Sequence, residues 1–322
     1  MKILISTSSF AQFDDSPLKL LRENNIQYEL NPYGRTLTKP EVNQLLEGKI
    51  GIVAGTEILD KEIMERFSDL RVISRVGVGM DSVDLQTAAA QNIKVFCTPD
   101  GPTQAVAELT LGLILNLMRQ ISAQDRMIRN QRWKKVMGSL LQGKKIGILG
   151  LGKIGKRVAT LAKAFGCSVV AYDVKPDIKW CEDNGVLSLK LTDLLASSDI
   201  VTIHLPLLES TRNLINHTAL SRMKSSALLV QVSRGGIVDE SAVCDALKAK
   251  KLAGAAFDVF DSEPYVGPLT EFDNVILSPH IGSYARESRI EMEIEAVTHL
   301  INALIKDGKV SKNSGVVSEK VV

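Results

Sequence analysis

Three side chains in the last third of the chain have the types and settings that proton and carbonyl chemistry needs. They are Arg234 in "VSRGG", Glu263 in "DSEP" and His280 in "SPHIG", each just past a short apolar run. A histidine titrates near neutral pH, so it suits proton transfer to or from an alcohol or ketone oxygen. A carboxylate beside it raises its pKa and fixes its tautomer, and Glu263, followed by Pro264, is the candidate. An arginine can clamp a carboxylate or keto oxygen with two parallel hydrogen bonds, and Gly235-Gly236 lets the backbone turn sharply after it. The bland alternatives are a surface ion pair of Arg234 with Asp239 or Glu240, and a satisfied core histidine at 280. Three such groups at successive strand ends make those alternatives the weaker reading.

A second constellation lies upstream. Gly150-Leu151-Gly152-Lys153-Ile154-Gly155 follows the apolar run "KIGIL" and opens the helical pattern "KIGKRVATLAKAF". In that context G-x-G-x-x-G reads as a dinucleotide turn. The first glycine permits the turn, the second admits a pyrophosphate, and the third packs helix on strand. The helix start at Lys153 and Ile154 offers free N–H groups to phosphates. Asp173 ends "VVAYD", 21 residues after Gly152, and can accept from both ribose hydroxyls. It disfavours a 2′-phosphate, so the cofactor expected is NAD, with Lys175 close enough to soften the preference. His204 in "IHLPL" reads as lining the cofactor site, with a packing histidine as the other reading. His217 and His299 lie in helix-like surroundings and receive no role.

These residues need elements to hold them. Short β-branched runs alternate with amphipathic stretches throughout: "KILIS", "GIVAG" and "LRVISR" as strands, "SPLKLLREN", "KPEVNQLLEG" and "DKEIMERFS" as helices. After the glycine turn, "SDIVTIHLP", "SALLVQVS", "LAGAAFDVF" and "NVILSPH" supply strand ends. One long helix is expected over about 103–130 and another over about 285–306, with a polar tail at 307–322. The pattern predicts an α/β fold of two Rossmann-like, doubly wound parallel-sheet domains with a cleft between them.

Bulk composition narrows the class. The 322 residues, 45% hydrophobic and 24% charged, suit two globular domains. Lys+Arg of 39 against Asp+Glu of 37 carries no electrostatic footprint for nucleic acid. The longest apolar stretch, "AVAELTLGLILNLM", contains Glu108 and falls short of a membrane span. "MKILIST" reads as a first strand and not a signal peptide. Four cysteines with no CxxC pair read as reduced thiols in a cytoplasmic protein. No metal, nucleic-acid or membrane partner is expected.

The stretches "GILGLGKIGKRVA", "VAYD", "HLPLLESTRNLIN", "SRGGIVDE", "AAFDVFDSEP" and "SPHIG" resemble the D-2-hydroxyacid dehydrogenase family along nearly the whole chain. The resemblance implies NAD-linked interconversion of a 2-keto acid and a D-2-hydroxy acid, with Arg234, Glu263 and His280 as the catalytic set. It implies that Pro206, Thr211, Val232 and Ser233 join His204 around the dinucleotide, with Asp258 and Gly282. It implies an NAD-binding domain at about 100–283 inserted into a substrate-binding domain of 1–99 plus 284–322. Members pair as homodimers through the region corresponding to 103–145.

"SRVGVGMDSVD" resembles the family's substrate loop, in which Val76, Gly77, Val78 and Gly79 would present their backbone N–H groups to the substrate carboxylate. "AELT", "RQI" and "WKKVMG" look most like D-3-phosphoglycerate dehydrogenases, in which an arginine at the position of Arg75 faces the substrate phosphate. Arg75 packing along the sheet edge is the alternative. Gln231 stands where asparagine is usual, and the "WKKVMG" arm is short. No C-terminal regulatory domain is expected after the final helix. The expected substrate pair is D-3-phosphoglycerate and 3-phosphohydroxypyruvate. A glyoxylate/hydroxypyruvate reductase is the runner-up, and an NAD-sensing corepressor-type binding protein a more distant third.

Overall fold

The computed structural model describes residues 1–306 and 308. The rest of the expected polar tail lies outside the described residues. The described residues divide into two compact units, one of residues 1–102 and those from 283 on, the other of residues 103–282. The sequence places those boundaries at 99/100 and 283/284.

The first unit holds β1 (Lys2–Ile5), β2 (Gln27–Leu30), β3 (Gly51–Ala54), β4 (Val72–Arg75) and β5 (Lys94–Phe96), all parallel, in the order β2-β1-β3-β4-β5. Successive side chains of a strand point to opposite faces, and both faces here are covered. Ile3 and Ile5 pack with Val53, Val72, Met292, Ala296 and Leu300, while Leu4 packs with Ile52, Ile73, Val42 and Ile63. The helix Arg286–Lys306 therefore covers one face of this sheet. A buried bond from Ser74 Oγ to the Ala296 carbonyl, 2.7 Å, pins it to β4. The strands β2 and β5 and the helix Leu85–Ala90 are additions to the sequence reading; each is six residues or shorter.

The second unit holds β6 (Lys145–Leu149), β7 (Ser168–Tyr172), β8 (Leu187–Ser188), β9 (Ile200–Ile203), β10 (Leu228–Gln231), β11 (Gly254–Phe257) and β12 (Val275–Leu277). They form one parallel sheet in the order β12-β11-β10-β9-β6-β7-β8. The order reverses direction between β6 and β9, which is the switch point where a doubly wound sheet opens a crevice. Again both faces are buried: Ile146, Ile148, Ile200 and Val230 on one side, Leu149, Val201, Leu229 and Phe257 on the other.

The long helix expected over 103–130 is two helices, Pro102–Arg119 and Ile121–Arg129. Gln120 between them takes a left-handed backbone, φ 51°. Asn116 secures the break, since its side chain accepts the Ser122 N–H at 2.9 Å and donates to the Ser122 hydroxyl at 2.7 Å. A continuous helical pattern cannot reveal a break made by one side-chain clamp. No helix among the described residues is long and apolar enough to cross a membrane.

Candidate active site

The carboxyl ends of β6, β7, β9, β10, β11 and β12 carry every candidate of the second unit. Parallel strands put all of these ends on one edge of the sheet.

The glycine turn follows β6. Gly150 has φ 92°, and a Cβ there would stand 2.7 Å from the His204 carbonyl oxygen. A Cβ on Gly155 would run into the Gly150 carbonyl oxygen, so the helix Lys153–Ala164 can pack this close only on glycine. Gly152 differs: a Cβ there meets nothing within 4 Å, and the residue is exposed. Bare backbone at the N-cap of a 12-residue helix fits the pyrophosphate of a dinucleotide. Lys153 is exposed and Ile154 partly buried at that helix start. Asp173 reaches back from the end of β7 to accept the Leu151 N–H at 2.7 Å, and its other oxygen accepts the Lys175 N–H at 2.9 Å. The turn and its acidic partner are thus one assembly.

His204 follows β9, partly buried, with Nε2 3.0 Å from Thr202 Oγ1. Burial pushes its pKa down to about 3, so the ring is neutral. Pro206 is exposed on the same loop. The Thr211 hydroxyl is occupied within that loop, donating to the Pro206 carbonyl at 2.7 Å and accepting the Leu208 N–H at 2.8 Å.

After β10 the chain passes through buried Val232 and Ser233 to Arg234. Gln231 braces the turn, its Oε1 accepting the Ser233 hydroxyl at 2.8 Å and its Nε2 donating to the Arg234 carbonyl at 2.8 Å. A Cβ on Gly235 would collide with the Phe260 carbonyl. The Gly236 N–H donates to Asp261 at 2.5 Å. Those contacts staple the Arg234 loop to the loop bearing Glu263. Asp239 and Glu240 are engaged elsewhere: Asp239 caps the helix Glu240–Lys248, and Glu240 accepts the Asp261 N–H at 2.9 Å.

Glu263 Oε2 stands 2.8 Å from His280 Nδ1. Its other oxygen accepts the Phe260 N–H at 3.1 Å. Burial works against the charged carboxylate, but the His280 bond and charge, the Phe260 N–H and the Arg234 charge outweigh it and hold the carboxyl below its ordinary value. Glu263 and His280 are both partly open to solvent, with side chains 37% and 44% exposed. His280 itself adopts φ 53°, rare for a residue with a Cβ.

The cause of that backbone is Asp258 at the end of β11. It is fully buried. One oxygen accepts the Ser278 hydroxyl at 2.6 Å and the Ile281 N–H at 2.9 Å; the other accepts the Gly282 N–H at 2.8 Å. Burial nonetheless leads, and raises the carboxyl above its ordinary range. Asp258 so fixes the loop on both sides of His280, a role the sequence did not reveal.

Arg75, Val78 and Gly79 lie in the first unit, at and beyond the end of β4. Arg75 curls over its own loop, since a Cβ on Gly77 would run into its guanidinium. Gly77 has φ 147°. The expectation that Gly77 presents its N–H outward is corrected: that N–H donates to Thr98 Oγ1 at 2.8 Å. The Val76 N–H likewise belongs to the Ala54 carbonyl, at 2.9 Å. Val78 is exposed and Gly79 partly so. Glu57, which the sequence reading passed over, is buried close by. Burial pushes its carboxyl up, opposed by bonds from Ser6 and Gly55 and by the charge of Arg75.

Residues 111–282 match the family described as D-isomer specific 2-hydroxyacid dehydrogenase, NAD binding domain. The chain is 41% identical over 260 residues to a glyoxylate reductase of Thermofilum pendens, covering 77% of this chain and 76% of that one. It is 33% identical over 307 residues to a D-3-phosphoglycerate dehydrogenase of Archaeoglobus fulgidus. That match covers 94% of this chain and only 57% of the relative's length. Among solved structures, the TT0316 protein from Thermus thermophilus superposes with a TM-score of 0.88 at 35% identity, covering 95% of this chain and 97% of that one.

Proposed function

Because the chain belongs to the D-isomer specific 2-hydroxyacid dehydrogenase family, we propose that Arg234, Glu263 and His280 are its catalytic set. The protein is an NAD-dependent oxidoreductase that interconverts a 2-keto acid and a D-2-hydroxy acid. The observation that carries the catalytic assignment is the 2.8 Å bond between His280 Nδ1 and Glu263.

That bond leaves His280 Nε2 for the substrate oxygen. In reduction, His280 gives its proton to the keto oxygen, and Glu263 stabilises the charged ring and holds its orientation. Arg234 holds the keto side of the acid and polarises the carbonyl. In the first unit, the N–H groups of Val78 and Gly79 take the substrate carboxylate. The turn Gly150–Gly155 and Asp173 hold the dinucleotide, lined by His204, Pro206, Thr211, Val232, Ser233, Asp258 and Gly282. NADH, when bound, supplies the hydride. The neutral ring of His204 adds no charge beside the cofactor.

Arg75 supports 3-phosphohydroxypyruvate as the keto acid, since a guanidinium suits phosphate. The buried carboxylate of Glu57 near it favours a second reading, glyoxylate or hydroxypyruvate. A homodimer through 103–145 is supported by the exposure of Trp133, 84%, and Met137, 92%. Four buried cysteines outside any disulfide support a reducing, cytoplasmic setting.

The test is NADH consumption across a panel of 2-keto acids that includes hydroxypyruvate, glyoxylate and 3-phosphohydroxypyruvate. Turnover of at least one, with a D-configured product, is expected. Turnover of none would overturn the catalytic assignment.

A further inference from the structure

Ala54, the last residue of β3, pairs in register with Arg75, the last residue of β4. Glu57 stands three positions past Ala54 and is 2% exposed. The Gly55 N–H reaches its two oxygens at 3.1 and 3.2 Å, and the Ser6 hydroxyl also donates to it. These bonds and the charge of Arg75 favour the carboxylate form against the burial that pushes the group up. The loop after Arg75 is tied to the same segment, for the Leu59 N–H donates to the Ser82 carbonyl at 2.7 Å and the Asp84 N–H to the Leu59 carbonyl at 3.0 Å. The guanidinium of Arg75 is folded over Gly77 at this end of the sheet.

A second arginine, Arg289, lies at the same end of this sheet and is buried, whereas Arg75 is half-buried. Arg289 bonds Thr7 and Ser9, just past β1, and pairs with Glu293 at 3.0 Å; both members of the pair are buried. Arg289 is thus paired with a buried carboxylate, and Glu57 lies close enough to Arg75 to feel its charge. A carboxylate out of water cancels much of a neighbouring cation's field and repels an incoming anion strongly. A phosphate dianion would meet that repulsion, whereas a hydroxyl or methyl end would not.

We propose that Glu57 sets the selectivity of the substrate site by neutralising Arg75, so that the 2-keto acid accepted there has an uncharged far end and not a phosphate. The inference rests on the keto-acid reading above and names the substrate class within it. Glu57 is a specificity residue acting through Arg75; it takes no part in the hydride or proton steps.

The experiment compares the full-length wild type with E57Q, which keeps the shape and an acceptor oxygen. The ratio of kcat/KM for hydroxypyruvate to that for 3-phosphohydroxypyruvate is measured in both, and binding of inorganic phosphate is measured by calorimetry. Wild type should favour hydroxypyruvate by about tenfold or more, and E57Q should move the ratio about tenfold toward the phosphorylated acid, the scale of one like-charge contact. E57Q should also bind phosphate more tightly. A wild-type preference for the phosphorylated acid overturns the proposal, as does a ratio unmoved in E57Q. If E57Q does not fold, the wild-type preference decides alone. If no keto acid is reduced, the catalytic reading fails, while the phosphate titration still judges Glu57: equal affinity in both proteins overturns its role.

Discussion

Asp258 accepts the Ile281 N–H at 2.9 Å, and that bond explains how His280, one residue earlier, can stand at φ 53°. A left-handed backbone at a residue with a Cβ needs surrounding structure to impose it. The same carboxylate takes the Ser278 hydroxyl and the Gly282 N–H, so the loop is held on both sides of the ring. Asp258→Ala would leave these donors unmet in a buried place. It should lower stability by about 1–3 kcal/mol in urea denaturation and lower kcat as His280 loses its fixed position. A variant with wild-type kcat would show that the loop holds itself.

His280→Asn tests the proton donor while keeping the backbone, because asparagine tolerates the left-handed region better than most residues. Turnover should fall by about 10²–10⁴-fold. NADH affinity, followed by fluorescence titration, should stay close to wild type. Equal losses in both would make His280 a cofactor-site residue instead.

The parts of this site that were legible in the sequence are local ones. The glycine turn and the residues after "LLVQ", "AAF" and "VIL" could be read because parallel strands put their ends on one edge. Illegible were the features made by side chains meeting across the sequence. Asp258 meets Ile281, 23 residues on, and Glu57 meets Ser6 across 51. Neither pairing leaves a periodic or motif signal. Gly77 misled for the same reason: a glycine loop suggests free N–H groups, but Thr98, 21 residues away, takes this one. Asn116 clamping Ser122 broke a helix that the apolar pattern carried straight through.

Glu263 provides a prediction in pH. Its carboxyl is held below the ordinary 4.5, against burial, by the His280 bond and charge, the Phe260 N–H and the Arg234 charge. A carboxyl with a depressed folded pKa stabilises the fold fully above its unfolded value. That contribution is lost as pH falls below about 4.5 and through the lower folded value. Glu263→Gln removes the group, so the stability difference between wild type and variant should shrink on acidification from pH 6 to pH 3. Urea midpoints at each pH measure it, and a constant difference would mean that Glu263 does not titrate in that window.

The glycines of the turn should separate folding from cofactor binding. Gly155→Ala drives a methyl into the Gly150 carbonyl, a backbone atom that cannot swing away. The helix Lys153–Ala164 must shift from the sheet, so this variant should lose thermal stability with or without NADH. Gly152→Ala adds a methyl into open space at the N-cap of the same helix, so the apo protein should melt near the wild-type temperature. On the proposed assignment, this open space is where the phosphates would approach bare backbone. NADH should therefore bind Gly152→Ala much more weakly, and the rise in melting temperature that NADH gives the wild type should be reduced or lost. If Gly152→Ala kept full NADH stabilisation, the pyrophosphate would lie elsewhere, and the assignment of the turn, with Asp173 bound to it through Leu151, would fall.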